Sequence, residues 1–316
     1  MSVFWLVLGL LVLLASGEFL VKGAAGLAAK LSISPLIIGL TIVSFGTSAP
    51  ELLVCIQGAL SGLNEIVIGN VVGSNIANLG LVLGLTCIVF PIHVDKYCIR
   101  IDWPLMMLAS VLFVVFAFDQ ELSRLESLIL FVILILYLAY LMMFSKKHRK
   151  EIEEEVKEVT SEAENSSPSV IRLLLYIIPS CVGLYYGSTW FLDGAVDLAT
   201  YFGVSEHVIG VTVVAFGTSV PELVTSMMAA FRKQSGISIG NLIGSNVFNI
   251  LGVLGVTGMI KALPVTPEML AIDVYWMLLM AALIFPLMLF GKKLSRPKGA
   301  LLFLIYIAYL FSQFLF

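Results

Sequence analysis

The chain has 316 residues, of which 59% are hydrophobic and only 12% are charged, and its mean hydropathy is +1.04. A water-soluble domain of this length needs a far more polar surface, so the composition excludes that class and indicates a membrane protein. The formal net charge of −3 says little by itself, because in a membrane protein the position of each charge matters more than the sum.

Long apolar segments account for most of the chain. A membrane-spanning helix needs roughly 20 mostly apolar residues, and long continuous runs favour helices over a β-barrel. The first segment lacks a basic start and carries Glu18 and Lys22, so we interpret it as a retained helix in which these two residues form a local ion pair. In chain order the sequence predicts ten spanning helices, near residues 2–24, 34–62, 66–90, 103–118, 125–144, 169–199, 205–231, 237–260, 269–290 and 298–316.

Basic residues are distributed unevenly between the connecting loops. If the N-terminus lies outside, the extracellular loops hold only Arg124 and Lys261. The loops then assigned to the cytoplasm hold Lys30, Lys96, Arg100, Lys146, Lys147, Arg149, Lys150, Lys157, Arg172, Arg232, Lys233, Lys292, Lys293, Arg296 and Lys298. This bias predicts a multi-pass protein of the cell (inner) membrane with both termini extracellular and the 145–168 loop cytoplasmic.

The second half of the chain repeats the first. Residues 38–52 return as residues 209–223, and residues 69–78 return as residues 240–249, both at an offset of 171 without a gap. Each copy then holds five helices, and because five is odd the second copy enters the membrane from the opposite side. The predicted fold is therefore an all-α membrane protein of two inverted five-helix repeats, residues 1–144 and 169–316, joined by a charged cytoplasmic linker, residues 145–168.

Two glutamates lie at matched positions inside these apolar spans. Glu51 follows Pro50 in the second helix, and Glu222 follows Pro221 in the seventh. A carboxylate inside a membrane is unfavourable unless it is paired or faces a polar cavity. Because proline lacks an N–H and crowds the preceding turn, we expect helices 2 and 7 to be broken there and to form a binding site at the repeat interface.

Oxygen-bearing residues surround both glutamates in the sequence. No histidine is close to them and Cys55, four residues after Glu51, is a lone cysteine, so the donor set favours calcium, sodium or magnesium over zinc or copper. The four cysteines, Cys55, Cys87, Cys98 and Cys181, have neither metal-site nor disulfide spacing. The candidate donors are Thr47, Ser48, Thr218, Ser219, Ser74, Asn78, Ser245, Asn249 and the carbonyls of Ser44 and Ala215.

Other functions fit the sequence less well. The Gly-Thr-Ser runs lack the lysine of a phosphate-binding loop, so nucleotide binding is not expected. An intramembrane aspartyl protease needs two aspartates, whereas the matched acids here are glutamates, so we do not expect an enzyme. A channel and a calcium/proton exchanger remain as alternatives, because a desolvated glutamate can also carry a proton.

The two Gly-Thr-Ser-x-Pro-Glu motifs and the two Gly-Ser-Asn-x-x-Asn motifs resemble the alpha-repeats of the sodium/calcium exchanger family, in the calcium:cation antiporter superfamily. The resemblance covers the whole chain and is of the prokaryotic type, because the large cytoplasmic calcium-sensing domains of eukaryotic relatives are absent. It implies a secondary active antiporter that works by alternating access, exchanging about three sodium ions for one calcium ion and therefore electrogenic, with no prosthetic group. We expect a monomer whose partners are these ions and the lipid bilayer, with no nucleic acid.

The resemblance also implies roles for individual residues. Glu51 and Glu222 would ligate calcium with help from Thr47 and Thr218, and Asn78 and Asn249 would complete the central site. Some relatives, including potassium-dependent ones, carry Asp at the position of Asn249, which puts potassium dependence in doubt here. The remaining ligands would serve sodium, namely Ser48, Ser74, Ser219, Ser245 and the carbonyls of Ser44 and Ala215.

Overall fold

A computed structural model describes residues 2–62, 64–147, 169–203 and 215–313 of the chain. Most of the predicted 145–168 linker and the first part of the predicted seventh helix lie outside these residues. Almost all of the described chain is helical, and four two-residue strands lie in its connections.

The helices of the first half are interrupted by short π-helical segments, in which the backbone hydrogen bonds reach one residue further than in an α-helix. Their bounds are α1 Ser2–Leu31, α2 Pro35–Leu60 with a π segment at Gly39–Val43, α3 Asn64–Ala77 continuing through π segment Asn78–Val82 to Leu83–Val89, α4 Trp103–Phe116 preceded by π segment Cys98–Asp102, and α5 Arg124–Lys147.

The second half follows the same order. Its helices are α6 Val170–Tyr201, α7 Val220–Phe231 preceded by Ala215–Thr218, α8 Ser235–Val247 continuing through π segment Phe248–Leu254 to Gly255–Ile260, α9 Asp273–Leu289 preceded by Pro267–Ala271, and α10 Arg296–Ser312.

Within the described ranges, eight helices are long and apolar enough to cross a membrane. They correspond to eight of the ten predicted segments. Helix α7 has 12 residues because the helix is interrupted at Ser219, and α10 has 17 residues. The protein is therefore a mostly helical, multi-pass membrane protein.

The predicted break in helix 2 is wrong, whereas the predicted break in helix 7 is present. Pro50 lies inside a helix that continues from Ser44 to Leu60, and the irregularity is the π segment Gly39–Val43, which ends seven residues before the proline. Side-chain hydroxyls help to satisfy carbonyls in this region, because Ser44 Oγ donates to Leu40 O at 2.8 Å. In α7 the helix stops at Ser219 and restarts with Pro221 in its first turn. The N–H groups of a first turn have no partner within the helix, so a proline there costs no hydrogen bond.

Four short strands join the two halves in pairs. Strand β1, Ile92–His93, pairs antiparallel with β4, Lys293–Leu294, and β2, Glu121–Leu122, pairs antiparallel with β3, Leu263–Pro264. Each pair thus ties one connection of the first half to one connection of the second.

Two apolar clusters hold the helices together. The larger joins α2 to α5 with α8 to α10, and the smaller joins α1 and α6 with α7. Helices α1 and α6 approach closely because glycines lie at their crossing: a Cβ atom at Gly9 would clash with the backbone of Phe191 and lie 2.7 Å from Gly187 O.

The predicted local pair between Glu18 and Lys22 is not formed. Glu18 of α1 instead accepts two hydrogen bonds from the guanidinium of Arg232 at the end of α7, one of them from Nε at 3.1 Å. Lys22 Nζ lies 6.0 Å from the centre of the Tyr176 ring on α6. An arginine fork binds both carboxylate oxygens at once, which a lysine one turn away cannot do.

The glycine at the crossing of α1 and α6 gives a test of this packing. We expect Gly9→Ala to destabilise the protein by about 1–3 kcal/mol, because backbone atoms cannot move aside for the added methyl group. Gly69→Ala in α3 is the matched control, since its nearest neighbour would be Met269 Cε at an ordinary 3.7 Å. Unfolding of the purified variants in detergent, followed by tryptophan fluorescence, measures both. Equal stability of the two variants would contradict the packing described here.

Candidate functional site

The two intramembrane glutamates lie together in the interior of the helix bundle. Glu51 in α2 and Glu222 in α7 are 1% and 0% exposed. Their carboxylates are close enough to interact electrostatically, and Ser48, one turn before Glu51, donates its hydroxyl to Glu222 Oε1 at 3.3 Å. The two matched motifs therefore form one site rather than two separate ones.

Thr47 links this pair to α8. Its hydroxyl lies 3.1 Å from Asn241 Oδ1 and 3.3 Å from Ser245 Oγ, and it also lies beside the Glu222 carboxylate. Thr47 is completely buried. A hydroxyl has one proton and two lone pairs, so Thr47 can donate to one of these neighbours while its oxygen accepts from another donor or binds a cation.

The second motif places its polar residues on α3 and α8. Ser74, Asn78, Ser245 and Asn249 are all buried, with at most 3% exposure. Asn78 begins the π segment of α3, and Asn249 is the second residue of the π segment of α8. Because a π segment shifts the helix surface and loosens its hydrogen-bond ladder, such segments are frequent at functional sites.

Several oxygens at this site are buried without a hydrogen-bond partner among the described residues. Buried polar atoms are normally paired, so a group of unpaired acceptors in one place needs an explanation. The unpartnered atoms of the predicted ligands are Glu51 Oε1 and Oε2, Glu222 Oε2, Asn78 Oδ1, Asn249 Oδ1, Ser74 Oγ and Ser219 Oγ. Carboxylate, amide and hydroxyl oxygens are the donors that hard cations such as calcium and sodium prefer.

Three predicted ligands have a less defined place. Ser44 is buried, and its carbonyl lies 3.3 Å from the Thr47 hydroxyl. Thr218 is half-buried at the end of the short segment before Ser219, and Ala215 begins that segment. The ligand roles of these three residues, like those of the other predicted ligands, stay predictions.

Three buried asparagines near the site, Asn75, Asn241 and Asn246, lie in the repeated segments but have no role predicted from the sequence. Asn241 Nδ2 donates to Ser226 Oγ at 3.0 Å, and Asn249 Nδ2 donates to Asn75 Oδ1 at 3.1 Å. Asn75 in turn donates to the carbonyl of Asn246 at 3.4 Å. Fully buried amides in apolar helices are themselves a signal of function, which could have identified Asn75 and Asn241.

Soft-metal chemistry finds no support in the described part of the chain. It contains no group of three or more His, Cys, Asp or Glu side chains arranged to hold a metal ion. The four cysteines are all free, and three of them are buried. The donor set of the site is thus two carboxylates with neutral oxygens around them.

Comparison with known proteins agrees with this arrangement. The profile of the sodium/calcium exchanger protein family matches residues 1–143 and 172–315. The chain is 35% identical to the putative antiporter CaxA of Alkalimonas amylolytica, over 98% of both chains. It is 32% identical to the sodium/calcium exchanger MaX1 of Methanosarcina acetivorans, over 98% of this chain and 97% of that one.

A solved structure has the same fold. The sodium-calcium exchanger NCX_Mj, soaked with zero Na⁺ and Ca²⁺, superposes with a TM-score of 0.82 at 32% identity, covering 99% of this chain and 98% of the other. Both halves of the chain, with the site between them, match the family along their length. The chain belongs to the sodium/calcium exchanger family, and it is a membrane cation antiporter rather than an enzyme.

Proposed function

We propose that this protein exchanges sodium for calcium across the cell membrane by alternating access. One observation carries the proposal: two buried carboxylates share a site with several buried oxygens that have no partner among the described residues. Such a site suits a small hard cation and is unfavourable without one. The relatives named sodium/calcium exchanger support the choice of ions.

The ligands would divide by charge. Glu51 and Glu222 bind calcium, with Thr47 and Thr218 assisting and with Asn78 and Asn249 completing the central site. Sodium is bound by uncharged oxygens, namely the hydroxyls of Ser48, Ser74, Ser219 and Ser245 and the carbonyls of Ser44 and Ala215.

The formal charge of the site makes the exchange electrogenic. Two ionised glutamates give the site two negative charges, which one calcium ion neutralises. Three sodium ions, the number that the family resemblance implies, leave one positive charge in excess. Each cycle then moves net charge across the membrane, and the membrane potential biases its direction.

The strand pairs support a division into two inverted five-helix repeats, residues 1–144 and 169–316, with ten spanning helices in all. Ile92 of β1 and Leu263 of β3 are 171 residues apart, as are Leu122 of β2 and Lys293 of β4. By the repeat offset, β1 of the first half corresponds to β3 of the second, and β2 corresponds to β4. The β1–β4 pair is therefore equivalent to the β3–β2 pair. A two-fold axis in the membrane plane has this effect and places the two pairs at opposite membrane faces.

The same pairing supports the proposed orientation. The connections that hold β1 and β4 both belong to the lysine- and arginine-rich set, and those that hold β2 and β3 both belong to the other set. We therefore place β1 and β4 with the 145–168 linker on the cytoplasmic side, and β2, β3 and both termini outside. The protein would work as a monomer, because one chain holds both halves of the site.

Transport in proteoliposomes tests the function. An outward sodium gradient is expected to drive uptake of radioactive calcium by the wild type, and an interior-positive potential to accelerate it. Glu51→Gln and Glu222→Gln are each expected to reduce uptake to the level of protein-free liposomes, because each removes a charged ligand. Glu121→Gln, an exposed acid in β2, is the control and should transport normally. Wild-type uptake in either site variant would refute the carboxylate mechanism.

The counter-ion is tested in the same liposomes. A pH gradient in sodium-free buffer should leave calcium uptake at background if sodium is the coupling ion. Uptake that follows the pH gradient and ignores sodium would instead identify calcium/proton exchange. Calcium flux with no counter-ion on the opposite side would indicate a channel.

Calcium binding should also stabilise the folded protein. At a free calcium concentration 100 times the dissociation constant, we expect a gain of about 2.7 kcal/mol for one site. Glu51→Gln should lose this gain, yet in chelator at pH 8 it should be at least as stable as the wild type, because one of two neighbouring buried acids has been neutralised. Thermal unfolding with and without calcium measures both effects, and Glu121→Gln should retain the gain. A calcium-dependent gain that persists in Glu51→Gln would contradict the assignment.

The orientation can be tested with introduced cysteines. Glu121→Cys in β2 should react with a membrane-impermeant maleimide in intact cells, whereas Lys293→Cys in β4 should react only after the cells are permeabilised. Both positions are exposed, and the wild type gives the background from its own cysteines, three of them buried. Labelling of both variants from the same side would show that the proposed topology is incorrect.

A further inference from the structure

Asn75 lies behind the site rather than in the set of predicted ligands. It is on α3, it is 2% exposed, and its side chain reaches across to α8. Its Nδ2 lies 3.4 Å from the backbone carbonyl of Asn246, and its Oδ1 lies 3.1 Å from Nδ2 of Asn249. The Asn75 amide thus links α3 to α8 directly beside the proposed cation site.

The chemistry of these contacts fixes the orientation of both amides. A backbone carbonyl can only accept a hydrogen bond, so the NH₂ group of Asn75 must face Asn246 O. The oxygen of Asn75 then faces Asn249, and an oxygen can only accept. Asn249 must therefore offer its own NH₂ group to Asn75.

This orientation leaves one atom of Asn249 pointing elsewhere. Its Oδ1 is buried and has no hydrogen-bond partner among the described residues. If Asn249 rotated its amide by half a turn, it would present an NH₂ group where a cation needs an oxygen, and an oxygen would face the oxygen of Asn75. The relay from Asn246 O through Asn75 penalises that rotation.

We propose that Asn75 is a positioning residue that holds the Asn249 amide with its oxygen directed at the transported cation. This inference rests on the proposed function and adds to it a residue that touches no ion. It resembles the partners of metal ligands in general, whose loss typically lowers metal affinity about 10–100-fold although they do not bind the metal.

The second half of the chain supplies a matched control. Asn246 stands 171 residues after Asn75, and its amide is just as buried. Its Nδ2 donates to Leu242 O at 2.8 Å, within its own helix, and not to Asn78. Replacing the Asn246 side chain also leaves in place the backbone carbonyl that Asn75 uses.

The experiment compares calcium affinities of the purified full-length protein in detergent, measured by calorimetry and by calcium-dependent thermal stabilisation. Asn75→Leu, which nearly keeps the side-chain volume, is expected to weaken calcium binding about tenfold. Asn246→Leu should change it less than about twofold. Asn75→Ala is a second variant in case leucine perturbs folding, and the melting temperature in chelator reports any general loss of stability.

A change at position 249 separates positioning from packing. A carboxylate presents an oxygen in either rotation, so in an Asn249→Asp background the added Asn75→Leu change should no longer weaken calcium binding. A merely structural role for Asn75 would weaken binding equally in both backgrounds.

Each result decides the matter. Tenfold weakening in the wild-type background and none in the Asn249→Asp background supports the relay. Unchanged affinity in both Asn75→Leu and Asn75→Ala, equal weakening by Asn246→Leu, or equal weakening in both backgrounds overturns it while the proposed function stands. A wild type that binds neither calcium nor sodium overturns the proposed function, and the relay with it.

Discussion

Two carboxylates buried side by side in an apolar bundle are unfavourable unless positive charge and further oxygens compensate them, and this requirement governs the rest of the site. Glu51 and Glu222 come from different halves of the chain, so the halves must meet where these residues lie. The bundle brings hydroxyls and amides from four helices to the same place. Much of that polar set lacks partners within the described residues, as expected of a site built for a cation rather than for its own stability.

The two halves use nearly the same motif with different backbones. Helix α2 runs through Pro50 without a break, whereas α7 stops at Ser219 and restarts at Val220. Since the local sequences are alike, the surrounding helices must decide which form each adopts. A motif that is compatible with both a continuous and an interrupted helix fits the proposed alternating access, in which each half would take two arrangements of similar free energy.

The sequence predicted the membrane class, the helix order and the family, and it predicted that Glu51 and Glu222 share one site, because repetition at a fixed offset is visible without coordinates. It failed where the outcome depended on neighbours in space. The break at Pro50 did not form: the helix continues through the proline from Ser44 to Leu60, and the irregularity is a π segment at Gly39–Val43. Glu18 pairs with Arg232, 214 residues away, which spacing along one helix cannot reveal.

The asparagines illustrate why an amide ligand needs a neighbouring residue to orient it, whereas a carboxylate ligand does not. With amides at positions 78 and 249, the site keeps its formal charge at the level that one calcium ion neutralises. An amide, unlike a carboxylate, has one useful end, so a second residue must set its direction. Asn75 does this for Asn249, and Asn241 has a similar relation to Thr47, whose proton it can accept. The limited negative charge of the site and the buried amides behind it are thus two consequences of the same choice of ligands.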